Sequence, residues 1–158
     1  MSVNIRSLAQ GVTQLNIGHE ATPLLVIDDL VLEPDWLITR ASTAPGFHAD
    51  PANFYPGIRK PTPTAYHQAI QLALLPLLQQ VFSPLQPVSL QILQSAFALS
   101  TTPPARLRPI QMLPHIDAST PNQLAMVHYL AGPEFGGTSF YRHKKTGYER
   151  ITADRLPN

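Results

Sequence analysis

The chain contains no cysteine, which excludes disulfides, thiolate zinc sites and cysteine nucleophiles. Any metal ion would therefore have to be bound by histidine or by carboxylate side chains, which are the harder nitrogen and oxygen ligands. Charge is also scarce: charged residues make up 13% of the chain and the net charge is +1. With no overall field to attract a polyanion, we expect neither nucleic acid nor a membrane surface as a partner.

Long hydrophobic runs are missing as well. No apolar stretch approaches the roughly 18 residues that a membrane-spanning helix needs. The N-terminal sequence MSVNIRSLAQG lacks the apolar centre of a signal peptide. The sequence thus predicts a cytoplasmic protein.

Proline, by contrast, is abundant. The chain has 17 prolines in 158 residues, about twice the usual ~5%. They lie between apolar segments and not in one low-complexity run, so they mark turns and the ends of elements. Together with 44% hydrophobic residues, this favours one loop-rich β or α+β domain over residues 1–158.

The first half of the chain reads as strand, helix, loop and helix. Residues 23–32 form a continuous apolar run that predicts a buried strand, and Pro34 fits the first turn of a short helix. Residues 43–64 carry five prolines and no periodic pattern, which predicts a long proline-rich loop. Residues 65–82 have the apolar spacing of the main helix, with Pro76 expected to kink or split it.

The second half is predicted to be a series of strands. Alternating apolar residues indicate strands over 89–100 and 106–113. Residues 124–130 predict a further strand, 132–137 a turn whose glycine pair can take positive φ, and 138–141 the returning strand. These segments would form a meander.

His115 and Asp117 follow the predicted strand 106–113. Alternate residues of an extended chain project from the same face, so both side chains could bind one ion. An imidazole and a carboxylate are the start of the 2-His-1-carboxylate set that binds Fe(II). The spacing alone is weak, because chance gives about 0.2 such pairs in this chain and a second pair, His48 and Asp50, lies in the proline-rich loop.

The context of the first pair carries a family resemblance. The segments PHIDAS, HYLAGPE and GGTSFYRHKKTGYE, within residues 115–149, resemble the Fe(II)- and 2-oxoglutarate-dependent dioxygenases of the prolyl 4-hydroxylase-like branch. Within that branch they look like an uncharacterised group of bacterial 2-oxoglutarate oxygenases. The resemblance implies an α+β, mainly β fold: a partial double-stranded β-helix, of jelly-roll or cupin-like type, with helices packed on one face.

The resemblance also implies the site. His115 and Asp117 would be iron ligands, and Tyr129 would hydrogen-bond the distal carboxylate of 2-oxoglutarate. The implied cofactors are Fe(II) and 2-oxoglutarate, and the implied reaction is hydroxylation of an unidentified small molecule or peptide. Gly136, Gly137 and the following threonine would shape the turn.

The chain departs from the family in one respect. The family's second metal-binding histidine, and the arginine or lysine that pairs with the co-substrate, lie on strands after the Gly-Gly-Thr segment, whereas this sequence stops at Asn158. We therefore expect a C-terminally truncated chain that is inactive alone. The alternative is a non-catalytic jelly-roll fragment or interaction module, which forms a homodimer through open strand edges.

Simpler interpretations of the residues stay open at this point. His115 at a strand end could hydrogen-bond a turn-forming Asp117, and Tyr129 could be a plain core tyrosine. His143 is the one local substitute for the missing ligand, although the sequence RHKK around it is typical of a solvated loop. A hydrolytic metal site is less favoured, because no glutamate stands near His115 as a general base.

Overall fold

A computed structural model describes residues 3–50, 54–82, 90–120 and 122–156 of the chain. It is a small α+β structure, whose described part contains two helices and two short antiparallel sheets of two strands each. The chain divides into two compact units. Unit 1 consists of Met1–Thr13 and Leu25–Met112, and unit 2 consists of Gln14–Leu24 and Leu113–Asn158.

The first sheet is a hairpin of β1 (Val12–Ile17) and β2 (Thr22–Ile27). Gly18, in the turn, has φ +70°, a conformation that glycine adopts without strain. The predicted strand 23–32 corresponds to β2, which is shorter than expected because it ends at Ile27. The chain turns at Asp29, where φ is +51°, because the acidic pair has no place in the apolar interior.

The helix predicted to start at Pro34 is present as α1 (Pro34–Ser42). Proline fits its first turn because the missing N–H would have no partner there, and Asp35 lies near the positive end of the helix dipole. Leu37 is 1% exposed and anchors α1 in unit 1.

The proline-rich segment is not a loop throughout. Its residues 57–61 form β3 (Gly57–Pro61), which pairs antiparallel with β4 (Ala96–Ser100). A side chain at position 57 could not fit, because its Cβ would lie 1.8 Å from the carbonyl oxygen of Leu99. The lack of a side chain there thus lets the two backbones pair. Residues 51–53 of the segment lie outside the described residues.

The main helix is confirmed as α2 (Thr64–Phe82). Its buried residues Tyr66, Ile70 and Leu74 recur every four positions, which gives α2 one buried face. Pro76 lies inside the helix and does not split it, so the predicted division is wrong. No helix in the described ranges is long and apolar enough to cross a membrane.

The strand predictions for the second half were largely wrong. Of the predicted strand 89–100, only Ala96–Ser100 is a strand, and residue 89 lies outside the described part. Residues 106–113 contain short 3₁₀ helices, Pro104–Arg106 and Pro109–Met112. Proline explains the difference, because it fixes φ and removes the N–H that a strand ladder needs.

Unit 2 has little regular structure. Residues 124–130 and 138–141, predicted as strands, contain no strand. The turn between them is a 3₁₀ helix, Pro133–Phe135, followed by Gly136 with φ +88°, as the glycine pair predicted. Side-chain contacts, and not a backbone ladder, connect the two predicted strands.

The described side chains that are fully buried all belong to unit 1. Seven are apolar and one is charged: Leu30, Val31, Leu37, Tyr66, Ile70, Leu74, Phe97 and Lys60. The charged residue, Lys60, has 6% of its surface exposed. Its Nζ donates hydrogen bonds to the carbonyl oxygens of Arg40, Ala41 and Thr43, which satisfies acceptors at the C-terminal end of α1.

Candidate metal site

The structure places the two predicted metal ligands side by side in unit 2. His115 Nε2 and Asp117 Oδ1 are 3.6 Å apart, and the two side chains are 82% and 72% exposed. Two ligand atoms at metal distances of about 2.1 Å lie about 3.0 Å apart at a right angle and about 3.4 Å apart at a tetrahedral angle. A small side-chain adjustment would therefore let both bind one cation.

A complete protein ligand set is not formed within the described part of the chain. No three His, Cys, Asp or Glu side chains there are grouped so as to hold a metal ion. His143, considered as a substitute ligand, instead has its Nδ1 2.8 Å from Thr146 Oγ1 in the turn that follows. The pair could thus hold a cation only with further ligands from water or from other residues.

The chemistry of the two donors restricts which cation fits. An imidazole with a carboxylate suits divalent ions such as Fe(II), Mn(II) or Zn(II). Both side chains reach solvent, so incoming ligands could approach the ion. Because of the same exposure, the two side chains are not shielded from water.

Tyr129 bridges the segments that the sequence predicted as paired strands. Its hydroxyl lies 2.5 Å from Thr138 Oγ1, and the residue is 53% exposed. This exposure contradicts the interpretation of Tyr129 as a core tyrosine. The neighbouring His128 is half-buried, and burial lowers the pKa of its imidazole. The exposed Tyr129 beside the half-buried His128 agrees with the alternation expected of an extended segment.

Sequence reasoning missed a reciprocal pair of glutamates in unit 2, here called the glutamate clasp (Glu20 and Glu149). Glu149 Oε2 accepts a hydrogen bond from the backbone N–H of Glu20 at 2.9 Å, and its Oε1 accepts one from Arg142 Nε at 2.7 Å. In return, Glu20 Oε2 accepts from the backbone N–H of Arg150 at 3.1 Å, and Oε1 from Arg155 Nη1 at 2.7 Å.

The clasp perturbs both carboxyl groups. The backbone N–H groups of Glu20 and His19, together with the Arg142 guanidinium, lower the pKa of Glu149 to about 2. The Arg155 guanidinium lowers the pKa of Glu20 below its usual value. No spacing in the sequence could reveal this contact, because its partners are 129 residues apart.

The glycine of the hairpin turn was the one available signal for the clasp. A Cβ on Gly18 would lie 2.1 Å from Glu149 Oε2, so a side chain there would push the carboxylate away from its hydrogen bonds. The residue needs both this space and its positive φ.

The second pair, His48 and Asp50, lies in unit 1. The backbone N–H and C=O groups of His48 exchange hydrogen bonds with those of Arg59, at 3.0 and 2.9 Å, so this histidine extends the pairing of β3.

The chain belongs to DUF6445, a family of unknown function, whose model matches residues 9–158. No curated protein and no solved structure was found to match it. The resemblance of residues 115–149 to the 2-oxoglutarate dioxygenases therefore stays a prediction.

Proposed function

We propose that this protein is the ligand-bearing part of an Fe(II)- and 2-oxoglutarate-dependent oxygenase of the prolyl 4-hydroxylase-like branch, with a partial double-stranded β-helix fold. The observation that supports it best is the 3.6 Å separation of His115 Nε2 and Asp117 Oδ1, on side chains open to solvent. The two residues belong to PHIDAS, one of the segments that carry the resemblance, and GGTSFYRHKKTGYE follows them.

Each residue has a separate role in this proposal. His115 and Asp117 hold the ion, and the phenol of Tyr129 exchanges its bond with Thr138 for one with the distal carboxylate of 2-oxoglutarate. Bound Fe(II), with 2-oxoglutarate and dioxygen, supplies the oxidising power for hydroxylating an unactivated C–H bond. The third ligand and the cation that pairs with 2-oxoglutarate come from outside the described residues.

Metal titration with a matched control tests the proposal. Co(II), and anaerobic Fe(II) with 2-oxoglutarate, are titrated by calorimetry and visible absorption. We expect saturable 1:1 binding that His115→Ala weakens at least about tenfold, the effect typical of disturbing a metal site. His48→Ala, in the other His-x-Asp pair, should bind like the wild type. Equal binding by the two variants, or no saturable binding by the wild type, would contradict the metal site.

A second function is supported by the unpaired segments of unit 2. Residues 122–130 and 138–141 contain no strand. Four of their large apolar or aromatic side chains are 53–64% exposed: Val127, Tyr129, Phe140 and Tyr141. Extended chain with apolar side chains is suited to pairing with another strand. In this alternative the protein is a non-catalytic module that forms a homodimer through these segments.

Solution mass, measured with and without added metal, separates the two functions. The interaction module predicts a dimer without metal, which Val127→Lys converts to a monomer. A monomer that binds one Co(II) per chain favours the oxygenase.

A further inference from the structure

Unit 1 contains a cleft of about 340 Å³. Its lining differs chemically from the His115–Asp117 pair, because it consists of aromatic, basic, proline and small side chains. The residues that matter here are Trp36, Arg40, Lys60, Pro61 and Pro63. A volume near 300 Å³ is the lower end of what small-ligand sites have. The cleft is therefore large enough for a small organic molecule.

The charge of the lining has one sign. Arg40 and Lys60 are both cationic, and none of the described residues that line the cleft is acidic. The Lys60 ammonium is held by the carbonyl oxygens of Arg40, Ala41 and Thr43, so it contributes positive charge and leaves ligand contacts to other donors. Arg40 is exposed, which leaves its guanidinium accessible. The cleft thus favours an anion.

Trp36 supplies a second observation, because this aromatic residue lines the cleft beside the arginine. Trp36 and Arg40 are four residues apart on α1 and therefore share a face, with the guanidinium carbon 5.3 Å from the ring centroid.

These features together define a ligand class. We propose that the cleft binds a small organic carboxylate with an apolar body. Both carboxylate oxygens accept from the planar Arg40 guanidinium, while the apolar body lies against Trp36, Pro61 and Pro63. The site is independent of the metal-binding proposal, because all of its residues belong to unit 1.

The chain offers a built-in reporter, since Trp36 is its single tryptophan. Metal-depleted protein is titrated with benzoate, and separately with benzamide, its neutral isostere, at constant ionic strength. Fluorescence excited at 295 nm is corrected for absorption by the probe. We expect a saturable change with benzoate, and at least tenfold weaker binding of benzamide.

Matched arginine variants identify the site. Because hydrogen bonds to charged groups are worth about a tenfold to hundredfold change in affinity, Arg40→Gln should weaken benzoate binding by that factor. Arg108→Gln removes the same charge from an arginine that stacks on Phe54 outside the cleft, and it should bind within twofold of the wild type. Circular dichroism checks that both variants stay folded.

Three results would overturn the carboxylate site: no saturable change with benzoate, equal affinity for benzamide, or equal weakening by the two arginine variants. If Arg40→Gln does not fold, the wild-type comparison of benzoate with benzamide decides alone.

Discussion

The interactions that stabilise unit 1 internally differ from those that stabilise unit 2. Every buried side chain in the described ranges lies in unit 1, where α1, α2, the β3–β4 sheet and the segment before α1 contribute them. Unit 2 has no fully buried residue in its described part and uses the glutamate clasp with Arg142 and Arg155 instead. Apolar burial is insensitive to acid, whereas carboxylate contacts are not, so the two units should fail under different conditions.

The largest expected effect comes from the core of unit 1. Leu37→Ala should destabilise the protein by about 2–5 kcal/mol, because it removes a buried side chain and leaves a cavity. Leu37 is 1% exposed, whereas Leu72 on α2 is 83% exposed, so Leu72→Ala should change stability by less than about 0.5 kcal/mol. Urea unfolding followed by circular dichroism measures both. Similar losses for the two variants would refute the placement of the core.

A smaller loss is expected when the buried charge of unit 1 is removed. Lys60→Met keeps an unbranched apolar stem but removes the ammonium that donates to the carbonyl oxygens of Arg40, Ala41 and Thr43. Loss of hydrogen bonds to a charged group should destabilise by about 2 kcal/mol. Lys144→Met, at an exposed position in unit 2, is the control. Equal stability of the two variants would show that the ammonium contributes nothing.

The third expected effect is a local change in unit 2 that occurs only at acidic pH. The folded pKa of Glu149, about 2, is below its ordinary value of 4.5, so its contribution is full above pH 4.5 and is lost as the pH falls towards 2. We expect the backbone amide resonance of Glu20 to shift over this range in ¹H–¹⁵N spectra, while the amide of Leu37 does not.

Two variants test the origin of this acid transition. Glu149→Gln keeps an acceptor but lacks the charge, so the Glu20 amide should lose the transition near pH 2 and keep only the response to its own carboxyl group. Glu134→Gln, an equal charge change at an exposed residue of unit 2, should leave the response intact. A transition that survives Glu149→Gln would assign it to another carboxylate.

The sequence predicted local elements better than pairing. Pro34 and Asp35 located α1, and apolar periodicity located α2, because these signals act within one turn of helix. The strand β3 was missed inside the proline-rich segment because its stability comes from β4, which lies about 40 residues later. Alternation over 106–113 was misleading because Pro109 lacks the N–H that a strand ladder needs.

The candidate site was only partly predictable for the same reason. The His115–Asp117 pair could be read from a spacing of two, and the structure brings its donor atoms within 3.6 Å. The Tyr129–Thr138 contact follows from the short turn between the two residues. The glutamate clasp and the Trp36 cleft depend on residues distant in sequence, which one sequence without its fold does not bring together.

The separation of 129 residues between Glu20 and Glu149 has a consequence for synthesis. A ribosome adds about 5–20 residues per second, so the β1–β2 hairpin emerges roughly 6–26 s before its partner exists. Until then the backbone N–H of Glu20 can bond only to water or to other segments of the nascent chain. The hairpin turn therefore makes its final contacts only after residues 142–155 have been synthesised.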